Sequence, residues 1–295
     1  MKKFKIILFR TEQIFLLLTF VAIFFAISCD KINEPYLKDD VSIWNGRKIV
    51  IYDFTGHKCG NCPRAHEALA MLQEKYPNAI IPIGIHCTDF AKVTNSDTNL
   101  PFHYDFRTDI GDYLGGRGSS GYYGDLALPM GLVNNLSINK ITAHNQWATV
   151  VASHISSYPE YLIEIIPEYR PSDSIISVNI NTITHIGNAK KIALVVFLLE
   201  DNIVEWQRDY SANPQDIKNY VHKHVLRAGF NSAFGEIIKN NSNNTTNGDN
   251  IRKNYQIHSK SDWTLENLSV VAFVYNCESM EILQAETVKI VNSTN

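Results

Sequence analysis

Lys48-Ile-Val-Ile-Tyr-Asp-Phe54, followed by Thr55-Gly-His-Lys-Cys-Gly-Asn-Cys-Pro63, sets a β-branched, aromatic run directly before a turn and a cysteine pair. The run has the composition of a buried strand. Pro63 opens a helix, because its missing N–H falls where the first helical turn has no intrahelical acceptor. Ala65, Leu69, Leu72 and Tyr76 then recur on one helical face until Pro77-Asn78 stops it. Ile80 to His86 is a second apolar strand. A strand, a helix and a strand in that order predict a parallel βαβ unit, with Cys59 and Cys62 at the start of its helix.

Further along, residues 88–128 are loop-rich, with Gly111, Gly115, Gly116, Gly118, Gly121 and Gly124. No Gly-Lys-Ser/Thr follows them, so a phosphate-binding loop is unsupported. Pro129 precedes Met130 to Val133, Asn134-Asn135 suits a hairpin turn, and Leu136 to Ile141 return. Trp147, Val150, Val151, His154 and Ile155 form a helical stripe that ends near Tyr158-Pro159. Beyond it the period changes to two: Ile176, Val178 and Ile180 alternate with Ser177, Asn179 and Asn181. Ile192 to Leu199 and Leu268 to Tyr275 are continuous apolar runs, and Glu281 to Ile290 hairpins back. Asn240 to Asn250 reads as a polar loop. The expected class is therefore α/β plus all-β, with an α/β domain over 41–158 that carries the insertion 88–128. An antiparallel, immunoglobulin-like β-sandwich follows over 159–295. On that division, residues 36–158 should fold alone.

The N-terminus reads as an address. Lys2, Lys3, Lys5 and Arg10 lead into the apolar run Ile14 to Ile27, which is short for the roughly 30 Å of bilayer hydrocarbon but suits a signal peptide. Ala26-Ile27-Ser28-Cys29 resembles a bacterial lipobox. That resemblance implies a signal peptide over 1–28, lipidation at Cys29, a tether over 29–40 and an exported, membrane-anchored body. A plain signal peptide or an N-terminal anchor helix are the alternatives. The whole chain has a formal charge of −3, and without its cationic leader the remainder falls to −6. Such a body has no electrostatic footprint for nucleic acid.

A CxxC between strand and helix resembles the thioredoxin redox motif. A helix N-terminus favours a thiolate at Cys59, which is expected to be the more exposed thiol, with His57 and Lys58 adding adjacent polar or positive groups. Cys62, one turn on and buried, would resolve a mixed disulfide. The thioredoxin resemblance implies that Asp53 relays the proton of Cys62, and that Pro129 is the cis-proline facing the disulfide. Asp53 also suits a turn cap. Lys58, Asn61 and Leu128 depart from the thioredoxin pattern.

Other chemistries compete for the same residues. His57, Cys59, Cys62 and His66 follow H-x-C-x-x-C-x-x-x-H, and Cys87 ends the neighbouring strand, so His57, His66 and Cys87 are weak metal candidates. No metal or other cofactor is expected. Pro63 stands where a c-type haem motif needs histidine. A purely structural clip is disfavoured, because closing a four-residue loop adds little stability. His222 and His224, within Tyr220-Val-His-Lys-His-Val-Leu-Arg227, would face one way on a strand and read as a solvated face. Cys87 and Cys277 have apolar neighbours and read as inert thiols. Asp173-Ser174-Ile175 resembles a short bacterial O-glycosylation signal.

Taken together, the lipobox, the Phe54 to Pro63 block, the Tyr220 to Arg227 stretch and the Val271-Ala-Phe-Val-Tyr-Asn276 to Ile282-Leu-Gln-Ala285 hairpin resemble the outer membrane protein 28 family of Bacteroidetes lipoproteins. The resemblance implies an outer-membrane lipoprotein, periplasmic or surface-facing, with a thioredoxin-like domain followed by a β-sandwich. It leaves two functions open. One is thiol-disulfide exchange on exported proteins, with protein thiols or disulfides as partners. The other is a binding or adhesion lipoprotein in which the thioredoxin-like fold is a scaffold.

Overall fold

The computed structural model describes residues 44–116, 120–241 and 244–290, so the leader, Cys29 and the tether lie outside the described residues. The βαβ unit forms as its apolar pattern dictates. β1 (Ile49–Thr55) and β2 (Ile80–His86) are parallel and in register from Ile49 with Ile80 to Thr55 with His86. Helix α1 (Cys62–Lys75) joins them, and it buries Ala65, Leu69 and Leu72. A short α2 (Asp109–Gly115) lies in the loop-rich stretch. β3 (Met130–Val133) then pairs antiparallel with β1.

The expected return of Leu136 to Ile141 beside β3 does not occur. Asn134 takes a positive φ of 53°, and its side-chain amide donates to Ile282 O at 3.0 Å while Ile282 N donates back to Asn134 O. That exchange ties the turn to a strand near the C-terminus. A later segment, β4 (Thr142–Ala143), pairs with β3 instead, and α3 (Trp147–His154) follows.

From Tyr161 the chain is nearly all strand: β5 (Tyr161–Arg170), β6 (Ile175–Thr184), β7 (Ile192–Glu200), β8 (Ile203–Arg208) and β9 (Asp216–His222). They continue as β10 (Val225–Gly229), β11 (Glu236–Lys239), β12 (Asn250–His258), β13 (Leu268–Asn276) and β14 (Ile282–Lys289). Among the described residues, nine of these fourteen strands assemble into one sheet in the order β14-β13-β7-β10-β2-β1-β3-β4, with β11 also on β7. A three-stranded sheet β12-β6-β5 and the hairpin β8–β9 are separate.

The boundary expected at Tyr158-Pro159 is therefore corrected. The described residues from Trp44 to Ile290 form one compact unit, because β10 joins β2 and carries β7, β13 and β14 into the same sheet as β1. The change of hydrophobic period marks a change of element type, not of core. The sheet also curls until its ends approach, through the Asn134–Ile282 exchange and Leu136 N to Met280 O at 2.9 Å. Inside the curl, Tyr52 meets Phe197 and Phe273 with ring centroids 6.4 and 6.2 Å apart. Alternate residues of β7 serve two cores, which explains its unbroken apolar run. Val195 and Phe197 face the curl, while Leu194 and Val196 pack against Ile163, Ile165, Val178 and Ile180 of the three-stranded sheet. Outside β1, Ile49 and Ile51 pack under α1 and α3 with Trp147.

Residues 44–158 produced alone should show no cooperative unfolding transition. Tyr52, Phe54, Ile83 and Ile85 would each lose partners inside the curl, at about 1.5–3 kcal/mol for a side chain left in water. Residues 44–290 should unfold in one step, with coincident circular dichroism and tryptophan fluorescence. A sharp transition for the short fragment would show two independent cores.

Candidate functional site: a covered cysteine pair beside an open groove

Cys59 and Cys62 form a disulfide with Cα atoms 5.4 Å apart, at the turn between β1 and α1. The loop is fixed by Cys59 N to Gly56 O at 2.9 Å and Cys62 N to Cys59 O at 3.2 Å. Pro63 occupies the first turn of α1, as its missing donor allows. Both sulfurs are enclosed: Cys59 is 2% exposed and Cys62 0%. The expected contrast between an exposed Cys59 and a buried Cys62 is absent.

The cover is the β8–β9 hairpin. Arg208 N donates to His57 O at 2.8 Å, and Tyr210 N donates to Gly60 O at 2.9 Å. The Gln207 amide, itself fully buried, donates to Cys59 O at 3.1 Å and reaches Gly56 O at 3.4 Å. Tyr210 lies so close over Gly60 that a β-carbon there would clash with its ring, 2.4–2.5 Å from the nearest ring carbons. Arg64 of α1 pairs with Asp209 at the hairpin end at 2.7 Å.

The sequence-predicted partners divide. Asp53 is 1% exposed on β1, beneath α1; its Oδ2 lies 3.4 Å from His66 Nε2 and its Oδ1 has no hydrogen-bond partner. Burial pushes its carboxyl up to about 8, so it is an acid held neutral rather than a turn cap. His66 shares hydrogen bonds with Thr55 Oγ1 at 3.1 Å and Tyr220 OH at 2.6 Å. The Leu128-Pro129 peptide is cis, at the entry to β3. His57 does not serve the cysteines. Its ring packs on Phe102 and Phe106, and burial lowers it to about 4, so it supplies no positive charge.

The metal candidates stay apart as well. Cys87 is buried against Gly115, His57 faces the phenylalanines, and His66 faces Asp53 and Tyr220. Among the described residues no three His, Cys, Asp or Glu side chains are arranged to hold a metal ion. Tyr220 to Arg227 is not one strand: His224 takes a positive φ of 55° between β9 and β10, so His222 is buried and His224 pairs with Asp201 at 3.2 Å. Sequence reasoning missed the hairpin, Gln207 and Tyr210, since nothing local in residues 203–222 signals a partner about 150 residues earlier.

The family model for outer membrane protein Omp28 matches residues 118–294. The chain belongs to the Omp28 family. Membership places the protein at the outer membrane, in a family of lipoproteins. The matched span contains Pro129 and the covering hairpin, while Asp53, Cys59 and Cys62 precede it. Among solved structures the chain is similar to HBP35 of Porphyromonas gingivalis, with a TM-score of 0.55 and 15% identity over 85% of this chain and 78% of that one. At that identity the likeness is one of fold. A domain of the outer membrane lipoprotein Omp28 from Porphyromonas gingivalis aligns with a TM-score of 0.31 and 24% identity, over 46% of this chain and 92% of that domain. No curated protein matches. Among the described residues no helix is long and apolar enough to cross a membrane.

Buried titratable groups give the stability a defined pH profile. His57, His86 and His222 are lowered by burial, to about 4 for His57 and about 3 for His222, so the unfolded chain takes up their protons first as pH falls below 6.5. Stability should therefore drop between pH 6.5 and 4. Asp53 acts oppositely: the folded state keeps its proton up to about pH 8 while the unfolded chain releases it near 3.8, so stability declines as pH rises through that window. The maximum should lie near pH 6.5. In Asp53→Asn the decline from 6.5 to 8 should flatten by about 1.4 kcal/mol per pH unit, read from urea midpoints.

Proposed function

We propose that this chain is a lipid-anchored binding protein of the outer membrane, in which a thioredoxin-like region serves as scaffold and the cysteine pair shapes a docking loop. The single observation that carries this reading is the enclosure of both sulfurs beneath Gln207, Arg208 and Tyr210. Exchange requires a thiolate to reach one sulfur of the disulfide, and no sulfur surface is offered. Closing a four-residue loop adds little chain-entropy stabilisation. The disulfide contributes by holding the carbonyls of Gly56, His57, Cys59 and Gly60 in the arrangement that the hairpin binds.

A second reading, thiol-disulfide exchange on exported proteins, is favoured by the neutral buried Asp53. It matches the thioredoxin resemblance and is equally compatible with a scaffold. The two readings part on reactivity. In the native protein the disulfide should resist dithiothreitol and have a potential below about −300 mV, as structural disulfides do. Gly60→Ala, which displaces Tyr210, should speed reduction at least tenfold. Rapid reduction of the unaltered protein, or capture of a client protein by Cys62→Ser, would instead establish exchange.

Anchoring is proposed at Cys29, the residue after Ala26-Ile27-Ser28. Cys29→Ser should release the body into the soluble fraction or leave the leader uncleaved. A processed Cys29→Ser protein that remains with the membrane would remove the lipid from the proposal.

A further inference from the structure

Beside the covered disulfide, a groove of about 350 Å³ opens between α1 and β9, with β1 and β2 as its floor. That volume lies within the range of small-molecule sites. Its walls are largely apolar, through Pro63, Leu69, Ala70 and Pro82. Its floor holds two polar groups with nothing to bind. Asp53 Oδ1 has no hydrogen-bond partner, and neither ring nitrogen of His86 has one, although these residues are only 1% and 4% exposed. Leaving such groups buried and unpaired is costly, and a ligand with matching donors removes that cost.

Of the other ionisable groups that face the groove, all but His222 are engaged or sit at its rim. From α1, His66 is occupied by Thr55 and Tyr220, and Glu67 is exposed. From the hairpin, Asp209 is held by Arg64, while His222 is buried against Phe106 and adds a second imidazole without a hydrogen-bond partner. In the β9–β10 turn, His224 pairs with Asp201 and Lys223 is exposed. The unpaired floor thus offers a carboxyl oxygen and an imidazole lone pair, with no cation among the buried groups. A compact donor with several N–H groups on a hydrocarbon stem complements it.

We propose that the groove between α1 and β9 binds primary amines, with the ammonium on Asp53 and His86 and the alkyl stem along Pro63, Leu69, Ala70 and Pro82. This gives a ligand class to the binding reading and rests on that reading only for its biological use. Binding is coupled to a proton. The ammonium needs the ionised carboxylate, and burial keeps the free Asp53 protonated up to about pH 8, so each amine bound near neutrality displaces one proton. Burial shifts the histidines that face the groove below their ordinary value. Affinity should therefore rise roughly tenfold per pH unit from 6 to 7.5 and level off above 8.

The test is calorimetry on the full chain in detergent, with n-butylamine as probe and n-butanol and butyrate as controls, in buffers of different ionisation enthalpy. The expected result is butylamine binding that releases about one proton at pH 7 and tightens with pH, with the controls weaker by at least tenfold. Asp53→Asn should abolish the proton release and the pH dependence. Ala70→Trp, which fills the outer groove and leaves Asp53 untouched, should weaken butylamine at least tenfold. Butanol binding as tightly as butylamine, a preference for butyrate, pH-independent binding, or ordered water alone in a structure soaked with butylamine would each overturn the proposal. A reactive disulfide with amine binding intact would remove the binding-scaffold reading and leave the site standing. An inert disulfide with no amine binding would do the reverse.

Discussion

A single backbone contact decides what this molecule is. Gly84 N donates to His224 O at 2.8 Å, and the adjacent pair Val225 and Gly84 makes the only register point between β10 and β2. A side chain at Gly84 would press its β-carbon to 3.3 Å from that same carbonyl, so the close approach favours glycine. Through this seam a parallel βαβ unit and an antiparallel meander become one sheet. The second seam, from Asn134 to Ile282, then curls the sheet around Tyr52, Phe197 and Phe273. Neither half has a complete core without the other.

The seam also sets the chemistry. By holding the start of β10 against β2, it brings β9 alongside α1 and lays the β8–β9 hairpin across the cysteine loop. Main-chain donors from Arg208 and Tyr210 and the amide of Gln207 then take carbonyls that a bare helix entrance would leave for a substrate. The same approach buries His222 beside His86 and Phe106, and the low-dielectric interior keeps both imidazoles and Asp53 uncharged.

Local pattern was enough for the elements that local pattern builds. The apolar run at Ile49–Thr55, the proline-opened helix at Cys62 and the strand to His86 were all legible, as was the hairpin of β13 and β14. The position of Asp53 on β1 was legible too, whereas a buried role for it came only from the thioredoxin resemblance. What was not legible is every feature that depends on distant pairing. The change of period after Tyr158 looks like a domain boundary because periodicity reports which faces are buried, not which strands share a sheet. Likewise the alternation at His222 and His224 predicts a common face, but the positive φ at His224 breaks the strand between them. Exposure at Cys59 was inferred from the helix entrance alone, and the cover comes from residues about 150 positions away.

One end of α1 is sealed while its flank stays open. The helix N-terminus still presents its positive dipole end, but its approach is closed by Tyr210 over Gly60. The flank, one turn further on, presents Pro63, Leu69 and Ala70 above a floor that holds Asp53 and His86. An acid at that depth with a free oxygen is a poor structural element, since a leucine there would pack without desolvation penalty. Its retention beside a blocked disulfide fits a groove that uses the acid for recognition, with the hairpin serving as the groove's second wall as well as the disulfide's lid. One hairpin thus meets the cysteine loop through Gln207, Arg208 and Tyr210 and lines the groove through Tyr220, Val221 and His222.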